Sequence, residues 1–138
     1  MSVLVLIGRV LFVGVFLSAV IPHLTKTTMM AGYAKSKGVP LAWPATFVGG
    51  ILLLAGGLSV LLGIWADLGA LLLAVFLLPT AVLMHGFWRE TGEGRMSEQV
   101  HFFKDVGLAG AALMLAGLIS YAGHGLGLTI TGPLFHLR

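Results

Sequence analysis

Cysteine is absent from the 138 residues. Without a thiol the chain cannot run a dithiol mechanism, so it cannot itself be a disulfide-forming quinone reductase. Charge is scarce as well. Asp, Glu, Lys and Arg make up 9% of the chain, against about 25% in soluble domains. A soluble fold could not cover its surface with so few. The net charge of +3 contains no basic run, which points to anionic lipid headgroups as contacts and not to nucleic acid.

The chain has apolar length instead. Four stretches, Val3–Ile21, Ala45–Ala66, Leu68–Gly86 and Phe103–Ala122, each approach the ~20 residues a helix needs to cross a ~30 Å hydrocarbon core. Backbone groups in lipid must be satisfied internally, and continuous apolar runs argue helix over barrel strand. The sequence therefore predicts an all-α integral membrane bundle of four helices in a single domain spanning residues 1–138. The first stretch exceeds the apolar core of a signal peptide, and no small-residue cleavage site follows, so it is expected to be retained.

Pro22 and Pro44 bracket the first connection. The second is very short, which makes helices two and three antiparallel neighbours, with Asp67 placed to cap the third. Pro79 lies inside helix three and should kink it, freeing a carbonyl about one turn earlier. Segment 89–99 is polar, holds Gly92 and Gly94, and reads as a mobile loop. The apolar tail after His124 is broken by Gly125, Gly127 and Pro133 and is expected at the interface. Trp43, Trp65 and Trp88 all fall at helix ends, as an aromatic belt requires.

Lys26, Lys35 and Lys37 stand on connection one, and Arg89, Arg95 and Lys104 on or beside connection three. The opposite face offers Arg9 and Arg138. The positive-inside rule places connections one and three in the cytoplasm. Gly49, Gly56 and Gly63 recur every seven positions in helix two, beside Gly50 and Gly57, and helix four carries Gly107, Gly110 and Gly117. Such stripes let backbones approach within a bundle, or across a homo-oligomer contact.

Three histidines share one end. His23 closes helix one, His85 closes helix three and His101 opens helix four, with Lys104 and Asp105 one turn on and Trp88 nearby. A cluster of this kind can hold a quinone ring while its tail stays in lipid, an anionic headgroup or a metal. The same residues also suit a purely interfacial, water-facing role. No His-x3-His spacing is present, which disfavours a metal site and a bis-His haem. No catalytic triad order can be assigned, and a transporter is disfavoured by four helices without a buried charge path. Arg9 sits two turns into helix one at a cost of ~2.5–3.5 kcal/mol if unpaired. It either snorkels or forms a structural ion pair with Asp67.

Several pieces together resemble the DoxX family of small four-helix bacterial membrane proteins. They are Gly8-Arg9, the helix end from Ser18 to Leu24, Tyr33-Ala34-Lys35-Ser36-Lys37-Gly38-Val39-Pro40, His85-Gly86-Phe87-Trp88 and His101-Phe102-Phe103-Lys104-Asp105. The chain has Ser18-Ala19 where family members often have Ser-Gly, and Asp105 where they often have Asn. The resemblance implies a multi-pass protein of the bacterial inner membrane tied to redox work. Some relatives look like membrane subunits of thiosulfate:quinone oxidoreductases, and others are linked to oxidative-stress complexes with soluble partners. It thus implies an accessory or anchor subunit of a quinone-linked system, not an enzyme on its own. A non-enzymatic scaffold, assembly factor or lipid-binding protein is the alternative.

Overall fold

The computed structural model describes residues 2–136. Five helices follow in order: α1 (Ser2–Thr25), α2 (Thr27–Ser36), α3 (Ala42–Leu62), α4 (Ala66–Met84) and α5 (Gly92–Ala122). Short 3-10 turns cover Phe87–Arg89 and Gly123–Leu126, and the described residues contain no strand. Helices α1, α3, α4 and α5 are long and apolar enough to cross a membrane, as expected. Pro79 lies inside α4. Arg138, counted in the charge asymmetry, lies outside the described residues.

Two segments differ from the sequence reading. Part of connection one is a helix, because Thr27, Ala31 and Ala34 fall on one turn-spaced face and are buried against α3. The Thr27 hydroxyl also donates to the His23 carbonyl at 2.6 Å. This helix stops where Gly38 adopts a positive φ of 84°, ahead of Pro40. The segment expected as a loop is mostly helical, since α5 begins at Gly92 and not at residue 103. At 31 residues and 1.5 Å per residue, α5 is ~46 Å long, well beyond a ~30 Å core. Its polar first turns therefore project past the apolar span. Local polarity marks the edge of the apolar span there, not the end of the helix.

The chain packs α1 on α3, α3 on α4, and α4 on α5. The α3 glycines make this possible by facing two ways. A Cβ on Gly50 or Gly57 would meet Leu24 or Leu17 of α1 at 2.6 and 2.7 Å. A Cβ on Gly49 would meet Phe76 of α4, and one on Gly56 the Gly69 carbonyl, both at 2.9 Å. These glycines serve packing within the bundle. Around them Val13, Phe16, Leu53, Val60, Leu73 and Leu77 form the core with the small α5 residues Ala109, Ala112 and Ala116. A Cβ on Gly107, Gly110 or Gly117 would touch nothing within 4 Å.

The tail folds back over the α3–α4 turn. Gly63 and Trp65 hold positive φ angles of 69° and 46° there, and the Ser59 hydroxyl donates to the Ile64 carbonyl at 2.6 Å. Trp65, not Asp67, occupies the N-cap of α4. The N–H groups of Ile130 and Thr131 donate to the carbonyls of Leu62 and Gly63, at 3.3 and 3.0 Å. Asp67 is fully buried. It accepts from the N–H groups of Leu134 and Phe135, at 3.0 and 2.7 Å, and from the Ser120 hydroxyl at 3.2 Å.

Arg9 is equally buried, at 3% exposure. Its guanidinium donates to the carbonyls of Val60 (2.7 Å), Leu61 (2.5 Å) and Leu128 (2.8 Å). Two of these belong to the last turn of α3, where carbonyls lack helical donors and the dipole favours a cation. Neither of the two readings open for Arg9 is met: burial rules out snorkelling, and its charged atoms do not approach those of Asp67 within 4.0 Å. Each residue is satisfied separately, and both bind the tail.

Candidate functional site

The opposite end of the bundle gathers the ends of α1 and α4, the starts of α3 and α5, and all of α2. Gly86 breaks the chain after α4 and is buried. It lets Arg89 fold back, and a Cβ at Gly86 would meet the Arg89 guanidinium at 2.6 Å. Arg89 donates to the Val82 and Leu83 carbonyls at 3.0 and 2.7 Å, satisfying the end of α4. It also donates to the Lys37 carbonyl at 2.9 Å, which fixes the end of α2 against α4.

Glu98, on the projecting turns of α5, is the hub of this end. One carboxylate oxygen accepts from Lys37 Nζ at 2.8 Å, and the other from His85 Nδ1 at 2.7 Å. Lys37 Nζ also reaches Glu90 at 2.9 Å. Both glutamates hold the Lys37 pKa above its ordinary 10.5, Glu98 contributing more than Glu90. A carboxylate can only accept, so His85 carries its proton on Nδ1. Its Nε2 lies 3.7 Å from Asp105, which is 5% exposed and sits 3.4 Å from Lys104 Nζ. The His85 and His101 rings stack at 5.1 Å between centroids, and Lys104 Nζ approaches His101 Nδ1 at 3.5 Å. Lys37, Glu98, His85, Asp105 and Lys104 thus form one continuous polar chain, with the His85 ring between two carboxylates and a lysine at each end.

Beside this chain lies a cavity of about 400 Å³, within the range of small-molecule sites. His23 and Met30 line it from α1 and α2, Thr46 and Leu52 from α3, and Phe76 and His85 from α4 and its end. Its wall includes Val48 and Val75, which are exposed on the outer surface of the bundle. The cavity thus reaches the outer surface of the bundle on this side. The His23 ring stands edge-on to Phe76 at 5.8 Å, and its Nδ1 bonds the Ala19 carbonyl at 2.8 Å.

The structure therefore brings His85, His101, Lys104 and Asp105 together, and places His23 with His85 on the cavity wall. Trp88 joins neither group. It is 53% exposed and packs edge-on against Phe87 and Phe102 at 5.4 and 5.6 Å. Sequence reasoning missed Glu98 because it fell in a presumed loop, and Lys37 because it was read only as loop charge. An available signal was a carboxylate three residues before His101, on the same face of a longer α5. Among the described residues no group of three or more His, Asp or Glu side chains is arranged to hold a metal ion.

A membrane bundle with a side-opening cavity and a charged network at one end is the class this architecture defines. The DoxX family model matches residues 4–86, and the chain belongs to that family. It is 30% identical over 114 residues to the inner membrane protein YphA of Escherichia coli strain K12, covering 83% of this chain and 81% of that relative. No solved structure matches the chain.

Proposed function

We propose that this DoxX protein is a multi-pass inner-membrane subunit whose cavity holds the ring of a quinone-pool molecule for a neighbouring redox enzyme. The observation that carries the reading is the cavity between α1, α2, α3 and α4, apolar and open to the outer surface, with His23 and His85 in its wall. Its size suits one substituted ring, and the exposed Val48 and Val75 give the prenyl tail a way into lipid. When bound, the quinone supplies the redox chemistry. The protein residues hold the ring, exclude water from it and present imidazole nitrogen to it. With no cysteine the chain has no dithiol of its own to pass electrons through, and the reading gives that step to the neighbouring redox enzyme. The inner membrane placement follows the relative YphA, and the charged end is assigned to the cytoplasm by its six basic residues.

The test is gentle extraction from the native membrane, followed by native mass spectrometry and quinone analysis. The expected result is one quinone-pool molecule per chain, lost in Leu52→Trp, which fills the cavity. A chain carrying only bulk phospholipid overturns the reading. A second reading, a membrane scaffold for a protein partner, is favoured by Met96 and Val100. Both stand exposed on the projecting part of α5, beyond the apolar span. A protein partner recovered without quinone, and lost in Met96→Glu, decides for it.

A further inference from the structure

The polar groups deep in the cavity, His23, Thr46 and Thr80, share a property that no single one reveals. The Ala19 carbonyl can only accept, so His23 Nδ1 must carry the hydrogen in that 2.8 Å bond, which in the single-hydrogen tautomer leaves Nε2 as an acceptor. Among the described residues His23 Nε2 has no hydrogen-bond partner, and it is not sealed from the surface. The Thr46 hydroxyl donates to the Ala42 carbonyl, and the Thr80 hydroxyl to the Phe76 carbonyl, each at 2.7 Å. Only oxygen lone pairs remain on these two side chains. His85 likewise gives its Nδ1 hydrogen to Glu98. Pro79 has no N–H, so the Val75 carbonyl one turn earlier lacks its helical donor. Tyr33 of α2, which lines the same cavity at its exposed edge, is the exception, since its hydroxyl can still donate.

We infer that this cavity is built to receive hydrogen-bond donors: it selects an amphiphile bearing a ring hydroxyl, a quinol in place of a quinone, with the hydroxyl donating to His23 Nε2. A carbonyl oxygen of an oxidised quinone would face lone pairs of the same sign and find no N–H or O–H among His23, Thr46 and Thr80. A quinol hydroxyl would find an acceptor, and its apolar ring would contact Phe76 and Leu52. The inference rests on the proposed quinone-pool reading and adds which oxidation state is held and by which atom. A site that loses a hydrogen-bond partner discriminates more sharply than one that loses a methylene, because the polar group is left unmatched.

The test uses the full chain in nanodiscs under argon at pH 8. Its probes are decyl-benzoquinone, the corresponding quinol and the quinol dimethyl ether, which keeps the shape but cannot donate. Binding is read by isothermal calorimetry. The expected result is at least ~10-fold tighter binding of the quinol than of either other probe. In His23→Phe the quinol should fall to the level of the ether while quinone binding stays within twofold. Equal affinity of quinol and ether in the native protein overturns the inference and leaves the quinone-pool reading standing. Failure of all three probes to bind overturns both. The three-probe comparison needs no variant, so the result does not depend on His23→Phe folding.

Discussion

His85 and Glu98 meet through a 2.7 Å hydrogen bond between Nδ1 and a carboxylate oxygen, across 13 residues and the break at Gly86. That contact turns the first turns of α5 from a polar extension into a wall of the site. Glu98→Gln should loosen it, because an amide cannot hold both Lys37 and His85 as a charged acceptor. The expected cost is about 1–2 kcal/mol, given partial exposure of the pair. Hydrogen exchange should accelerate in residues 92–99 and leave α3 unchanged. Uniform exchange across the protein in the variant would remove Glu98 from its role as hub.

Lys37 predicts a pH dependence of known sign. Its folded pKa is raised by Glu98 and Glu90. A raised pKa means the folded state binds the proton more tightly, so the contribution is complete below the ordinary lysine value and is lost as pH rises through the folded one. Thermal stability should therefore hold this contribution through neutral pH and lose it only above about 10.5. Lys37→Met should lower stability at neutral pH and flatten that alkaline decline. A decline of unchanged steepness in Lys37→Met would assign it to other groups.

The four crossing helices were legible because lipid imposes two strong demands, apolar length and internally satisfied backbone. The seven-residue spacing of Gly49, Gly56 and Gly63 likewise declared a packing face. Less legible were features that depend on tertiary partners. Helix α2 carries short polar residues, and its burial through Thr27, Ala31 and Ala34 exists only against α3. The turns around Glu98 read as a loop because local polarity says nothing about Lys37, which lies 61 residues away. For Arg9 the sequence leaves snorkelling and a pair with Asp67 both open, and for Asp67 it suggests a helix cap. Backbone groups of the α3 end and the tail, with Ser120, supply the bonds instead.

Glycines of α3 and α5 should respond oppositely to alanine. At Gly56 the new methyl would press on the Gly69 carbonyl and Leu73, each at 2.9 Å, and backbone cannot yield as a side chain can. Gly56→Ala should cost about 1–3 kcal/mol. Gly107→Ala and Gly110→Ala meet open space and should be neutral, or stabilising by up to about 1 kcal/mol from helix propensity. Thermal melts in detergent separate the cases. A loss at Gly110 comparable to that at Gly56 would indicate a neighbouring molecule seated on α5.

The two buried charges at the far end should be coupled without touching. Arg9 holds Leu128 and Asp67 holds Leu134 and Phe135, so each acts on the same tail. Arg9→Met would strip donors from three carbonyls and should cost about 3 kcal/mol, at about 1 kcal/mol or more for each unsatisfied group. Asp67→Ala should cost a similar amount, since three donors lose their acceptor. Once either change releases the tail, the second has less left to release. A double-mutant cycle should therefore show the pair costing less than the sum by about 1 kcal/mol or more. Truncation after Gly127 should shrink that coupling towards zero, because the shared element is gone. A coupling that survives truncation would mean the charges act on each other directly, at a range longer than the hydrogen bonds that hold them.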